Sequence, residues 1–315
     1  MALQGALVLS GCPDGPGGPA ASGTILRHVA APIVTVEQLV ARIGPGALVA
    51  VPPDYSGPSL AATRALVAAG VTALRLLAVP TSGMQCDILV GAGVVAEVEA
   101  AAVLLGELGG APRFNAAVLG GALAMRDSTC PAIHAALQAS EKGLPFIPLR
   151  GLLGSDVLRH RSDWQVIDNP FARSADDGAA PAPDPIVLLP ALRPDVALFH
   201  APRADRDGNV WIGRRRELMT MAHASRTALV TVEEIVDGSL LDSEETAAGT
   251  LPALYVGAVA VTPGGSWPLG LPGHSAPDDA AQERYARAAR TDDGFRTWLA
   301  AFLAGDEAAP AGATR

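Results

Sequence analysis

The chain has 315 residues, 49% hydrophobic and 17% charged, which is enough for one large or two small domains with a sizeable core. Its net charge of −9 at pH 7 argues against a nucleic-acid-binding protein, which would need clustered positive charge. No apolar run reaches the roughly 18 residues of a membrane span, so no membrane association is expected.

The three cysteines, Cys12, Cys86 and Cys130, are far apart and form no CxxC pair. This spacing is not typical of a structural zinc site or of a disulfide framework, so we expect no metal site and a reducing, cytoplasmic location. The first residues lack a basic segment followed by a continuous apolar run, so a signal peptide is not predicted.

Composition divides the chain into a central domain and two ends. Residues 1–31 are rich in Gly, Pro, Ala and Ser without periodicity, which predicts a flexible amino-terminal extension. Residues 32–305 form the predicted domain, and residues 306–315 a disordered tail. Within the domain, the low-complexity stretch 176–184 predicts an exposed loop insertion.

Short β-rich runs alternate with helical patterns along the domain, which favours an α/β fold with an open, mostly parallel sheet flanked by helices. Thr35, Ser59 and Asp278 are predicted helix N-caps. The predicted elements are a helix over 35–43, a strand over 47–51, a helix over 59–69, strands over 71–79 and within 113–127, a helix over 129–142, strands over 146–149, 186–189 and 254–261, and paired C-terminal helices over 278–289 and 292–304.

The stretch from Asp195 to Asp237 organises the predicted fold. An apolar run that ends at Phe199 predicts a buried strand, which His200 closes. The strong turn signal Asp207-Gly208-Asn209 then predicts a hairpin. The elements that follow are a strand over 210–212, a helix over 217–224 and a strand over 228–232.

Several motifs in this order resemble a known family. The sequence DVALFHAPRADRDGNVWI, followed by ALVTVEEIVD, is similar to the first (α) subunit of the family I coenzyme A transferases, and most of all to the glutaconate CoA-transferase branch. Further matches are GLPFIP at 143–148, DNPF at 168–171 and TPGG at 262–265. The resemblance covers most of the predicted domain and implies the CoA-transferase fold.

The resemblance also implies a function. It implies the α subunit of a heteromeric enzyme that moves CoA between an acyl-CoA and a small carboxylic acid. The attacking glutamate is expected on a homologous β subunit, so no catalytic residue is expected in this chain, and CoA acts as a substrate, not a permanently bound cofactor. Two alternatives stay open: a hydrolase on the same scaffold that cleaves an acyl-CoA thioester or a ring C–C bond, as in steroid breakdown, and a non-catalytic binding subunit.

Candidate pocket residues lie at predicted strand ends. His200 is one, although a histidine whose ring hydrogen-bonds the backbone inside the fold explains the pattern as well. Glycine-rich loops at strand ends hold ligands in open α/β sheets, yet a plain turn fits the first of these loops equally. The candidates are Gly151, Gly154, Ser155, His200, Gly264, Gly265 and Trp267.

Charged and proline-rich segments leave further alternatives. Pro52-Pro53 stands where the family carries a glycine-rich turn, and it is either a rigid connecting loop or a reshaped substrate wall. The run Arg214-Arg215-Arg216 either meets CoA phosphates or the partner chain, or is a solvated approach to a helix. Glu97 and Glu99 share one face of a predicted strand. Either one of them is a carboxylate nucleophile or base, or, as the resemblance supports, the two form a solvent-facing pair.

Overall fold

Parallel strands form the centre of the fold in the computed structural model, which describes residues 30–173 and 182–307. The strands are β1 (Ile33–Val34), β2 (Leu48–Val51), β3 (Leu74–Ala78), β4 (Thr81–Ser82), β5 (Val95–Ala100), β6 (Ala102–Val103), β7 (Ala124–Asp127), β8 (Phe146–Leu149), β9 (Gln165–Asp168), β10 (Pro185–Pro190), β11 (Val196–Asp205), β12 (Val210–Trp211), β13 (Ala228–Val236), β14 (Thr250–Leu251) and β15 (Val256–Val261). The helices are α1 (Val36–Val40), α2 (Leu60–Ala68), α3 (Met84–Gly91), α4 (Pro112–Leu119), α5 (Cys130–Glu141), α6 (Arg216–Ala224), α7 (Glu244–Ala247), α8 (Asp279–Ala288) and α9 (Asp292–Ala304).

The predicted ends and insertion fall mostly beyond this description. The extension over 1–31, the insertion over 176–184 and the tail over 306–315 lie wholly or largely outside the described residues. Ala31, which the sequence assigned to the extension, is buried, and its N–H donates to the Asp207 carbonyl oxygen at 2.8 Å.

In the described part of the chain, ten strands form one sheet. Eight of them lie in the order β1-β15-β13-β11-β2-β3-β5-β7, and β12 and β14 add to these as antiparallel strands. Neighbours along the main order are all parallel. Chain order runs from β2 through β3 and β5 to β7 on one side of the sheet, and from β11 through β13 to β15 on the other side. The carboxyl ends of β2 and β11 therefore border the topological switch point, where open α/β sheets bind ligands. The predicted fold class is confirmed.

Successive side chains of a strand point to opposite faces of the sheet, and helices cover both faces. Val49 and Val51 of β2 pack in one core with α1 to α4, α8 and α9, whereas Ala50 packs in a second core with α5 and α6. Because both faces of the sheet are covered near its centre, β2 and β15 read as continuous apolar runs instead of alternating ones.

The C-terminal helix pair packs into the first core through its aromatic side chains. Tyr285 of α8 packs edge-on against Trp298 of α9 with ring centroids 4.6 Å apart, and Phe302 stacks on Trp298 at 4.9 Å. The predicted N-caps are also confirmed, since Thr35 forms a full capping box and Ser59 accepts from the Ala62 N–H.

Three helices escaped the sequence analysis: α3, α4 and α7, which is only four residues long. Helix α3 is buried on nearly every side, so it has no polar face and no amphipathic period to reveal it. Helix α4 starts at Pro112 and is short, and it lies within a region where only a strand was predicted. That strand is β7.

A second difference concerns the strands over 146–149 and 186–189. They do not extend the parallel sheet but pair antiparallel with each other, as β8 and β10, in a separate sheet of order β8-β10-β9. Their short apolar runs fit a strand of either kind, because periodicity alone does not identify the sheet that a strand joins. No helix in the described residues is both long and apolar enough to cross a bilayer.

Candidate functional site

The loop over 52–57 follows β2 and crosses the switch point. It is held against β11 by the His200 backbone N–H, which donates to the Gly57 carbonyl oxygen at 2.7 Å. Gly57 has a φ of 75°, and a Cβ there would overlap the His200 carbonyl oxygen, so this crossing requires glycine. Pro52 and Pro53 have no N–H to donate, so they supply no part of an anion-binding backbone cradle.

Asp54 anchors this loop on the start of α3. Both of its carboxyl oxygens lie 3.1 Å from the Met84 N–H, and the absence of a side chain at Gly83 leaves room for the contact. Burial raises the pKa of Asp54 to about 7, although the Met84 N–H acts in the opposite direction. The loop is therefore a rigid, internally bonded connection.

Tyr55 and Ser56 line a cavity of about 590 Å³ that we call the switch crevice. Tyr55 is 67% exposed, whereas Ser56 is buried and donates its hydroxyl hydrogen to Glu217 Oε1. The remaining walls are Trp211, Gly213, Arg214, Arg215, Pro272 and Gly273. The crevice thus combines two hydroxyl groups, a carboxylate, guanidinium groups and an indole.

A second cavity of about 540 Å³, the outer cavity, shares the Trp211, Arg214 and Arg215 wall with the switch crevice. It adds Arg216 and Glu245. The predicted basic run therefore borders two cavities. Arg214 and Arg216 are exposed, and Arg215 is partly buried.

Arg215 is fixed by backbone acceptors. Its Nη1 donates to the Ile212 carbonyl oxygen at 3.0 Å and its Nη2 to the Pro272 carbonyl oxygen at 2.8 Å. Burial lowers the pKa of Arg215 below its ordinary value and the Glu217 carboxylate opposes that shift, but a guanidinium in a protein stays charged.

His200 lies in the middle of β11 and not at its end, which corrects the predicted position. The strand continues because its parallel pairing with β13 extends to Asp205 and Val236. The imidazole is fully buried, with Nδ1 2.8 Å from Thr231 Oγ1 and Nε2 2.9 Å from Glu233 Oε1. The ring therefore bonds two side chains, not the backbone.

Electrostatics assign the protons in this network. Burial lowers the pKa of His200, against the opposing pull of Glu233, so the imidazole is neutral. Burial also acts to raise the pKa of Glu233, but the His200 bond and the Gly264 N–H outweigh it and the net pKa is lowered. A neutral imidazole thus donates from Nε2 to an ionised carboxylate and accepts at Nδ1 from the Thr231 hydroxyl.

The structure brings four predicted site residues together: His200, Gly264, Gly265 and Trp267. Gly264 donates its N–H to Glu233 Oε2 at 2.7 Å, and a Cβ on Gly265 would lie 2.7 Å from Cε1 of His200. Both glycines and Trp267 line a smaller cavity of about 230 Å³, together with Arg64. The buried His200 ring packs against this loop and does not line the cavity.

Gly151, Gly154 and Ser155 lie elsewhere. Their loop follows β8 of the separate antiparallel sheet, and the Ser155 hydroxyl donates to the Leu152 carbonyl oxygen at 2.8 Å. No hydrogen bond among the described residues joins this loop to His200 or to Gly264. A ligand role for these residues stays a prediction.

Glu99 is an internal ion-pair partner. It is 5% exposed, and its Oε1 lies 2.8 Å from Nη1 of Arg161, which also binds Asp163. The solvent-facing interpretation is therefore wrong for Glu99, because β5 is covered by the segment that carries Arg161. Glu97 remains partly exposed.

Sequence reasoning missed Tyr55, Ser56 and Glu217 as neighbours in one crevice. The loop after β2 could have identified them, because ligands of open α/β sheets bind outside the carboxyl ends of the strands at a switch point. Locating the switch point, however, requires the strand order. Across the described residues, no group of three or more His, Cys, Asp and Glu side chains is arranged to hold a metal ion.

The chain is similar to several known proteins. The Coenzyme A transferase family model matches residues 33–262. The α subunit of the 3-oxoadipate CoA-transferase of Pseudomonas knackmussii is 33% identical over 171 residues, which cover 53% of this chain and 55% of that protein. The IpdA chain of the cholesterol ring-cleaving hydrolase of Rhodococcus jostii is 28% identical over 254 residues, which cover 79% of this chain and 83% of the relative.

The α subunit of the glutaconate CoA-transferase of Acidaminococcus fermentans is 27% identical over 232 residues, covering 68% of this chain and 69% of its own length. The crystal structure of that glutaconate coenzyme A-transferase matches with a TM-score of 0.76 at 23% identity, over 86% of this chain and 88% of the other, which shows a shared fold. The chain spans about half the length of the curated relatives that it matches at 32% and 33% identity. The family model and these relatives confirm the resemblance noted in the sequence, and the chain belongs to the coenzyme A transferase family.

Proposed function

We propose that this chain is the α subunit of a heteromeric CoA transferase, which moves CoA between an acyl-CoA and a carboxylic acid. One observation carries the assignment of roles: the carboxylates near the switch point are already bonded within this chain. Glu217 accepts from Ser56, and Glu233 accepts from His200 and from the Gly264 N–H. An attacking carboxylate is therefore best supplied by a homologous β subunit.

The proposed reaction needs no redox step. The partner glutamate attacks the thioester carbonyl, the C–S bond breaks, and CoA leaves as a thiolate with an acyl-glutamyl anhydride behind it. The thiolate then attacks the glutamyl carbonyl of the anhydride, which forms a glutamyl-CoA thioester and releases the first carboxylate. A second carboxylate runs the same steps in reverse and leaves as the new acyl-CoA.

This chain contributes the wall against which the thioester carbonyl lies. Tyr55 is exposed at the switch crevice, so its hydroxyl is available to donate to the oxygen that becomes negative during attack. The loop that carries it is held by Asp54 and by Gly57, which keeps the donor in place before substrate arrives. Preorganisation of this kind lowers the cost of stabilising charge.

The test uses the chain co-expressed with its partner. The complex is incubated with an acyl-CoA, treated with borohydride, and analysed by mass spectrometry of each chain. Transfer predicts reduction of a glutamyl thioester to the alcohol in the partner and no modification of this chain. Omission of acyl-CoA is the control, and turnover by this chain alone would contradict the assignment.

Hydrolysis is the second candidate, because the IpdA relative is matched over 79% of this chain. That relative is named as a hydrolase that cleaves the cholesterol ring system. Release of CoA, or of a ring-opened product, in many turnovers without an acceptor acid, together with no borohydride-trapped thioester, would select hydrolysis over transfer.

We also propose that the complex works in the cytoplasm. Cys86 and Cys130 are both free thiols, which agrees with the reducing compartment predicted from cysteine spacing. Cell fractionation with an antibody to this chain tests the location.

A further inference from the structure

His274 is a partly exposed histidine with one ring nitrogen turned toward a buried carboxylate. Its side chain is 26% exposed, but Nε2 itself is shielded from water and has no hydrogen-bond partner among the described residues. Oε2 of Glu233 lies 3.8 Å from this nitrogen, which is within ion-pair distance but too long for a hydrogen bond. The proposed reaction gives this histidine no role.

The Glu233 carboxylate decides where the His274 ring carries its proton. Burial acts to raise the pKa of Glu233, but its hydrogen bonds to His200 and to the Gly264 N–H, together with the nearby His274, lower it below its ordinary value. Glu233 is therefore ionised. A bare nitrogen lone pair would be repelled by this carboxylate, whereas an N–H is attracted to it. We therefore assign a proton to Nε2 of His274.

His274 belongs to a closed turn over 271–275. The Leu271 N–H donates to the Ser275 carbonyl oxygen at 2.9 Å. In return, the Leu271 carbonyl oxygen accepts from the His274 N–H at 2.8 Å and from the Ser275 N–H at 2.9 Å. Because these bonds close the turn, the position of the His274 ring is linked to that of Pro272 and Gly273, which line the switch crevice.

Pro272 connects this turn to Arg215. The Pro272 carbonyl oxygen accepts from Nη2 of Arg215 at 2.8 Å, and Nη1 donates to the Ile212 carbonyl oxygen at 3.0 Å. Both acceptors are backbone oxygens. The place of this positive charge in the crevice therefore depends on two stretches of main chain, one of which is the turn that carries His274.

We propose that His274 is a positioning residue for Arg215. The attraction between Nε2–H of His274 and Glu233 fixes the turn, and the turn holds the Pro272 carbonyl oxygen where it orients the guanidinium. Glu233 thus supports two walls, the Gly264 loop of the smaller cavity and the turn at the switch crevice. The inference rests on the proposed function, because a fixed guanidinium adds positive charge where a negatively charged acyl-CoA binds.

Two substitutions at His274 separate its N–H from the shape of its ring. His274→Gln keeps an N–H donor at a similar reach and removes the ring, whereas His274→Phe keeps a ring and removes the donor. If the N–H positions the turn, His274→Gln behaves like the wild type and His274→Phe does not. If the ring only fills space, the order of the two variants is reversed.

The first test measures the exposure of Arg215 and needs no substrate. The complex of this chain with its partner is treated with phenylglyoxal, which modifies accessible guanidinium groups, and peptide mass spectrometry quantifies the modification of each arginine. The exposed Arg216 is the internal reference. Relative to Arg216, Arg215 should react about fivefold faster in His274→Phe and within about twofold of the wild-type rate in His274→Gln. An unchanged ratio in His274→Phe, or a rise in His274→Gln as large or larger, would overturn the proposal.

The second test uses turnover of an acyl-CoA by the complex. His274→Phe should raise KM about tenfold and change kcat by no more than about twofold, because a fixed charge contributes to binding before and during the reaction. A partly unfolded preparation lowers kcat and leaves KM unchanged, so the two effects are distinguishable. An unchanged KM would overturn the positioning role in the reaction.

A double-mutant cycle tests whether the effect passes through Arg215. In an Arg215→Met background, His274→Phe should change KM by no more than about twofold, because the group that it positions is absent. The same rise in KM in both backgrounds would contradict the route through Arg215.

His223→Phe is the matched control. His223 also faces a carboxylate, with Nδ1 3.4 Å from Oε1 of Glu141, but it lines neither the switch crevice nor the outer cavity. This change should alter neither the reactivity of Arg215 nor KM by more than about twofold.

The outcome is separable from the proposed function. If no glutamyl thioester is trapped but Arg215 becomes more reactive in His274→Phe and not in His274→Gln, transfer falls and the positioning of Arg215 stands. If the thioester is trapped and neither test responds to His274→Phe, transfer stands and the positioning role falls.

Discussion

Nε2 of His200 lies 2.9 Å from Oε1 of Glu233, where the two buried side chains face each other from neighbouring parallel strands. The other carboxylate oxygen binds the Gly264 N–H at 2.7 Å. The pair therefore connects the centre of the sheet to the loop after β15. The pair positions that loop, because the buried ring packs against the glycines that line the cavity.

Replacing Glu233 by alanine should destabilise the fold. The change leaves a buried donor, His200 Nε2–H, and a partly buried one, Gly264 N–H, without their acceptor, which costs about 3 kcal/mol of unfolding free energy. Urea denaturation followed by circular dichroism measures the change. Glu234→Ala, at an exposed neighbouring position, is the control and should shift the unfolding free energy by no more than about 0.5 kcal/mol. Equal effects at the two positions would contradict the network.

His200 should make the fold sensitive to acid. Its folded-state pKa is lowered by burial, so below the ordinary histidine pKa the unfolded chain takes up a proton that the folded chain does not. The unfolding free energy should fall as pH drops from about 7.5 to about 5.5, by at most about 1.4 kcal/mol per pH unit from this group. His200→Gln should flatten that part of the curve, and an unchanged slope would refute the assignment.

Asp54 should contribute the opposite pH dependence. Its folded-state pKa is raised to about 7, so the folded chain holds a proton that the unfolded chain releases above the ordinary aspartate pKa. Its contribution to stability is full below that ordinary value and is lost as pH rises toward 7. Asp54→Asn keeps an acceptor for the Met84 N–H without the charge, so it should raise the unfolding free energy at about pH 8 by about 1–2 kcal/mol. The same variant should have little effect at about pH 4.5, and a gain of equal size at both values would count against this explanation.

Tyr285→Phe should destabilise the attachment of the C-terminal helices. The Tyr285 hydroxyl donates to Asp87 Oδ2 at 2.6 Å in the core, and its loss leaves a buried carboxylate with one fewer donor. We expect a cost of about 2 kcal/mol in unfolding free energy. Tyr55→Phe removes the same atom from a side chain that is 67% exposed, and it should cost less than about 0.5 kcal/mol.

Ser56→Ala should lower activity more than stability. The Ser56 hydroxyl donates to Glu217 inside the switch crevice, so its loss frees the carboxylate to turn toward an anionic substrate. We expect kcat/KM of the complex to fall by about tenfold, measured as acyl-CoA formed. Thr297→Ala removes an exposed hydroxyl on α9 and should leave kcat/KM unchanged. A larger kcat/KM for Ser56→Ala would show that Glu217 is active when released.

Much of the fold was predictable because local signals and burial agreed. The helix starts at Thr35 and Ser59 carry their caps in the sequence, and strands such as β2 and β15 are continuous apolar runs. Helix α3 was hidden because it is buried on nearly all sides, and a helix without a polar face has no period to detect. The antiparallel sheet of β8, β10 and β9 was hidden because partner choice depends on contacts distant in sequence.

The candidate site was predictable only in part. His200, Gly264 and Gly265 do meet, and each was selected from the sequence for its place at a predicted strand end. The switch crevice was not visible, because Tyr55 and Glu217 come together only through the order of the strands. Arg214 to Arg216 were identified as a basic run, but the carbonyl contacts that single out Arg215 depend on the loop that carries Pro272.

The support of the loop after β15 suggests where to alter the enzyme. Glu233 holds the backbone of Gly264, and His200 packs under Gly265, so the scaffold of this loop does not depend on the indole that follows. Trp267 can therefore be exchanged for smaller side chains while the main chain keeps its course. A library that varies this position alone tests whether the cavity beside Trp267 takes part in substrate binding.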